Sequence, residues 1–146
     1  MNKKTHIYGW IIPALIIVAN AIAIMVCWNS LPETLLAHFD PEGYASGSMS
    51  RSTLIFYPVA SAFVCAIIYA TGFWISRRSN SNAKADRLRF QGLTFLTSGI
   101  ALTIFSSTMV TLTQGTMPGF MFAEPVIMSI ALIASIICLV KARKCK

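Results

Sequence analysis

"YGWIIPALIIVANAIAIMVCW", residues Tyr8 to Trp28, contains no charged side chain and a single strongly polar one, Asn20. A run of this length matches the roughly 20 helical residues needed to cross a bilayer core. In lipid it has to be helical, because each unpaired backbone amide there costs several kcal/mol. Three more runs of the same kind follow, Leu54–Ile75, Leu93–Thr113 and Phe120–Val140. Composition agrees: 55% of the 146 residues are hydrophobic and 12% are charged, against about 25% charged in soluble domains. The expected fold is an all-α integral membrane protein, a single domain of four transmembrane helices over residues 1–146. The first run is too long for a cleaved signal, so it is expected to remain as the first helix.

The net charge of +7 points to a membrane rather than to nucleic acid. Lys3 and Lys4 precede the first run. Arg77, Arg78, Lys84, Arg87 and Arg89 lie between the second and third, and Lys141, Arg143, Lys144 and Lys146 follow the fourth. Eleven of the 12 bases thus fall on one side, with Arg51 alone across the membrane. The positive-inside rule then predicts both termini and the central loop in the cytoplasm. The same bases suit anionic lipid headgroups. No aromatic platform accompanies them, so nucleic-acid binding is not expected.

Along the spans, Tyr8, Trp10, Trp28, Tyr57 and Trp74 fall at interface depth, where amphipathic rings prefer to sit. Pro13 is expected to bend the first helix. Ala62, Ala66 and Ala70 form a small-residue stripe on the second helix, expected to serve packing. Gly99, Thr103, Ser107 and Thr111 share one face of the third. Their hydroxyls have two readings, interhelix packing or a polar cavity, and the first is preferred because each can bond its own helix. Asn20 and Glu124 are the polar residues within the spans. Glu124 is a candidate site by its position, or a mark of the fourth helix's N-terminal end beside Pro125. Between spans two and three, "SRRSNSNAKADRLRF" reads as a polar loop whose second half forms an amphipathic helical lead-in, with Leu88 and Phe90 on the headgroups and Arg87 and Arg89 in water.

The four cysteines do not make a disulfide framework. Cys27 lies at the outer end of span one, Cys65 about 16 Å into span two at 1.5 Å per residue, and Cys138 and Cys145 at the inner end of span four. They read as apolar fillers. No nucleophile elbow, metalloprotease helix or cofactor motif is present, so no enzyme activity, cofactor or assigned metal is expected.

Leu31 to Ser52 is the one polar island of the chain, within a connection over residues 29–53 of 25 residues, far above the 2–8 typical of helix–helix connections. Pro32 sets the exit from the first helix, and Leu31, Leu35, Leu36 and Phe39 need a surface to cover. "DPEG", residues Asp40 to Gly43, is a turn signal with Pro41 at the second position. An ordered outer cap between helices 1 and 2 is therefore expected. His38, Asp40 and Glu42 alternate and share one face in extended chain. They can be read as a metal set, as a peptide or headgroup contact, or as an internal pin in which His38 bonds Asp40 or Glu124. The pin is the preferred reading.

A Trp near the end of a first membrane helix, then "LP", then "HF", then two spaced glycines and a base resembles the domain of unknown function 1648, found in the SdpI-like immunity proteins of bacteria. The matching positions are Trp28, Leu31, Pro32, His38, Phe39, Gly43, Gly47, Ser50 and Arg51, within a first hairpin of about 45 residues. Ala37 stands where the family tends to have proline, and Ser46 where it tends to have Asp. The resemblance implies a multi-pass protein of the bacterial cell membrane and resistance to a secreted peptide toxin. Two functions are weighed. In the first, the outer cap binds or excludes a peptide or lipid at the cell surface. In the second, the protein is a membrane subunit or sensor whose basic loop, through Arg77, Arg78, Arg87 and Arg89, recruits a cytoplasmic regulator. No oligomeric state is read from the sequence.

Overall fold

A computed structural model describes residues 3–39, 44–78, 83–113 and 119–144. Helix α1 (Lys3–Cys27) ends in a short 3-10 turn at Trp28–Ser30. Strands β1 (Thr34–Phe39) and β2 (Ala45–Ser50) follow, then a second 3-10 turn at Arg51–Ile55. Helices α2 (Phe56–Arg78), α3 (Ala83–Leu112) and α4 (Gly119–Lys144) complete the chain. All four helices are long and apolar enough to cross a membrane, so the protein is a multi-pass membrane protein by length and composition.

The expected cap is ordered, but its form is β, which the all-α expectation did not include. β1 and β2 pair antiparallel, with Thr34 opposite Ser50, Leu35 opposite Met49 and Ala37 opposite Gly47. The helical lead-in expected before the third span is present. The helix begins at Ala83, ten residues before the apolar run, and the lead-in is continuous with the span. Its 30 residues give a length of about 45 Å, more than the roughly 30 Å hydrocarbon core. Phe90 is buried within the protein rather than laid on headgroups, Leu88 and Arg89 are half-buried, and Arg87 is exposed.

α3 is the central helix. α1 and α2 pack on it and on each other, whereas α4 packs on α3 and touches the other two marginally at most. The least apolar of the four helices is thus the most enclosed. Its hydroxyls make this workable by bonding carbonyls one turn back: Thr97 to Leu93 at 2.9 Å, Thr103 to Gly99 at 3.0 Å, Thr108 to Ile104 at 2.8 Å and Thr111 to Ser107 at 3.0 Å. A side chain satisfied this way presents only its methyl and methylene surface to a neighbour.

Small residues set the α3–α4 approach. A Cβ on Gly99 would lie 2.3 Å from the Ala131 Cβ, and one on Gly92 would lie 3.2 Å from the Cys138 Cβ. Ala85, Gly92 and Gly99 are buried at seven-residue spacing, and Ala131, Ser135 and Ala142 are buried on α4. This is the spacing of a left-handed supercoiled seam. The other stripe behaves differently. Ala62, Ala66 and Ala70 are exposed on α2, so the packing expected of them is not made among the described residues.

At the opposite end from the cap, Pro13 explains a bond between helices. Proline has no N–H, which leaves the carbonyl four residues earlier without its helical donor. That carbonyl belongs to Gly9, and the Tyr69 hydroxyl of α2 donates to it. Tyr69 also lies 3.0 Å from Thr94 Oγ1 and stacks on Trp10 at 4.1 Å between centroids. A Cβ at Gly9 would fall 2.7 Å from the same threonine oxygen. Glycine lets the three helices meet there.

Candidate functional site: the hairpin cap

The cap is held by one apolar plug and one cation. Leu35 of β1 is fully buried in a socket with Ile24 of α1, Leu31 and Leu54. Cys27, Trp28, Met49, Tyr57 and Leu112 close around it. Leu35 and Met49 are cross-strand partners, so one pair aims both strands at the helix ends. Burying a leucine from water contributes about 2–3 kcal/mol. The two adjacent leucines part company here as strand alternation requires. Leu35 is enclosed, and Leu36 is 42% exposed.

The cation is Arg51. Its backbone N–H donates to the Glu33 carbonyl at 2.8 Å, closing the base of the ribbon. Its Nη1 donates to the carbonyls of Trp28 and Leu31, each at 3.2 Å. The guanidinium carbon stands 4.9 Å from the centroid of the Trp28 ring, within cation–π range. Carbonyls at the end of a helix carry partial negative charge and lack intrahelical donors, so a fixed cation suits this place. Ser30 Oγ satisfies a further one, the Cys27 carbonyl, at 2.8 Å. Trp28, Leu31 and Arg51, picked out in the sequence as motif residues, are thus gathered into one clamp. Pro32 lies between the 3-10 turn and β1 and is exposed, and Gly47 lies on β2, half-buried.

Beneath the ribbon a polar chain links three helices. The Tyr57 hydroxyl of α2 donates to Met49 Sδ at 3.7 Å and meets the Thr111 side chain of α3. Ser107, one turn below, donates to Glu124 Oε1 of α4 at 2.7 Å. Glu124 is half-buried at the end of the membrane span nearest the cap. Asn20 is buried to 1% exposure, and its Oδ1 has no hydrogen-bond partner among the described residues.

The other sequence candidates are placed as follows. His38 and Phe39 lie on β1, with side chains outside the described set. Asp40, Glu42 and Gly43, and with them the expected His38–Asp40–Glu42 set, lie outside the described residues. Among the described residues no three His, Cys, Asp or Glu side chains come together as a metal group. Cys27, Cys65 and Cys138 are free thiols. Of the basic residues between α2 and α3, Arg89 pairs with Asp86 at 3.4 Å. Arg87 is exposed, and the side chains of Arg77 and Arg78 are outside the described set.

The partners that these residues meet were not read from the sequence. Met49 and Tyr57 complete the socket, and Ser107 holds Glu124; each is separated in sequence from what it meets. The one signal for Ser107 was its place on the Gly99–Thr111 face. Set against family models, curated proteins and solved structures, the chain matches none.

Proposed function

We propose that this is a non-enzymatic protein of the bacterial cell membrane, with both termini and the α2–α3 connection in the cytoplasm. Its hairpin cap recognises a peptide or lipid at the outer surface, and protection against a secreted peptide toxin is the physiological outcome. The observation that carries the reading is the cap itself. A connector needs neither a buried leucine plug nor an arginine clamp, and this segment has both. Its other side offers contact surface: Leu36 is 42% and Tyr44 is 74% exposed. An exposed aromatic with a polar tip suits recognition at a wet interface. The motif resemblance adds the immunity outcome, and the basic clusters add the orientation.

The test is survival of a sensitive strain challenged with secreted bacterial peptide toxins, with and without expression of this chain. Protection should fall with Leu35→Asp, which undocks the cap, and His38→Ala separates a contact role for the histidine from the fold. Killing unchanged by the wild-type chain would remove immunity.

A further inference from the structure

The half-buried carboxylate of Glu124 has no counter-charge. Among the described residues no base pairs with it. Arg51, the base at the cap end, is engaged by the Trp28 and Leu31 carbonyls and by the Trp28 ring. The helix end does not account for the charge either. α4 begins at Gly119, so Glu124 lies beyond the first turn, where the pull of the helix dipole is concentrated. An ionisable group at this depth without a partner is costly.

The side chains around Glu124 add acceptors rather than donors. Ser107 donates to Glu124 Oε1 at 2.7 Å, with the Thr103 carbonyl a second acceptor at 3.2 Å. Thr111 donates to the Ser107 carbonyl at 3.0 Å, and Tyr57 donates to Met49 Sδ at 3.7 Å. Tyr57 also meets Thr111 and lies within electrostatic reach of Glu124, so contacts join the set across α2, α3 and α4. A hydroxyl has one proton and two acceptor sites, and a carboxylate has acceptor sites alone. With the protons committed, the cluster offers oxygen lone pairs and one negative charge. Its complement is a cation that brings several N–H donors.

The packing says where that cation comes from. α2 and α4 both pack on α3 yet touch each other marginally at most, which leaves a groove between them. Ser107 touches α4 on one side, and Thr111, a turn away, touches α2 on the other. Leu96, Ile100 and Thr103 share the face of Ser107 at helical spacing and are half-buried. The Thr103 hydroxyl is turned to the Gly99 carbonyl, so this floor is apolar as far as Ser107. A groove that opens sideways between membrane helices is filled by lipid. We propose that Glu124, Ser107 and Tyr57 bind the primary ammonium of a phosphatidylethanolamine headgroup, with an acyl chain in the groove below. The ammonium carries three N–H donors for these oxygens, and a choline headgroup carries none. The site is separate from the cap's outer surface and does not depend on what the cap recognises.

Native mass spectrometry of the full chain in a non-ionic detergent tests the site, with titration of phosphatidylethanolamine or of phosphatidylcholine with the same acyl chains. The ethanolamine lipid should be retained about tenfold more strongly, as expected of a charge-assisted hydrogen bond. Glu124→Gln keeps the shape and removes the charge, and should abolish the preference, with helicity by circular dichroism as the check on folding. Tyr57→Phe leaves the carboxylate in place and should lose a smaller part of it. Equal retention of the two lipids by the unaltered chain, or a preference unchanged in whichever variants fold, would overturn the proposal. Displacement of the lipid by equimolar phosphoethanolamine would overturn the lipid as the source of the ammonium. Copurification of an amine-bearing peptide that excludes the lipid would assign the carboxylate to a peptide instead.

Discussion

Tyr69 owes its most important bond to a residue it does not touch in sequence or chemistry. Pro13 withholds the donor that Gly9 needs, and the tyrosine hydroxyl replaces it. In a bilayer a freed carbonyl has no water to turn to, so a neighbour must serve. Tyr69→Phe should therefore cost about 1 kcal/mol of stability in detergent unfolding, in the range of measured interhelical bonds. In a Pro13→Ala background the helix regains its own donor, and the same change should cost clearly less. Equal costs in both backgrounds would break the link. Arg51 makes a parallel case at the other end. Arg51→Ala removes two charge-assisted bonds and a ring contact, worth about 2–3 kcal/mol together. Hydrogen exchange should then show faster exchange of β1 and β2 amides with the helices still protected. Arg51→Lys should recover only part of the protection, because one ammonium cannot copy the planar fork.

At the scale of elements, the four spans were legible because each is an uninterrupted apolar run of membrane length. The helical lead-in of α3 was legible too; its burial against the other helices was not, because Lys84, Asp86, Arg87 and Arg89 mark where lipid begins and say nothing of what Phe90 packs on. The strands were hidden for a different reason. "TLLAHF" breaks strict alternation with adjacent leucines, and "ASGSMS" has little strand preference of its own. Docking of Leu35 and Met49 decides the matter, an example of tertiary context overriding local preference. Spacing was equally double-edged. The alanine stripe of α2 and the seven-residue series of α3 are both visible in the sequence, and only the second packs. The reason lies in what faces each, which one sequence does not state. The seam makes a sharp prediction. Gly99→Ala places a methyl 2.3 Å from the Ala131 Cβ, an atom fixed to backbone, and should destabilise by about 1–3 kcal/mol. Ala131→Gly in the same chain should restore most of it. Gly72→Ala should be mild by comparison, because its short contact is with the turnable end of Leu93.

For the whole molecule, charge is arranged along the helix axes. Among the described residues ten bases lie toward one end and Arg51 toward the other, where the clamp already engages it. The proposed orientation follows, and labelling checks it. In a chain freed of its four cysteines, Ser48→Cys on β2 should react with an impermeant maleimide added to intact cells. Lys141→Cys should react only after permeabilisation. The reverse pattern would invert the protein.

Among the described residues α4 is attached chiefly to α3, and this bears on how the chain is made. Helices leave the ribosome in order, and α1, α2 and α3 already contain every surface they use to pack on one another. Those three can settle, and the ribbon can seat its leucine, while α4 is still being synthesised. The fourth helix then arrives at a finished groove of glycine and alanine on α3, so assembly ends with a single docking step rather than a rearrangement of four.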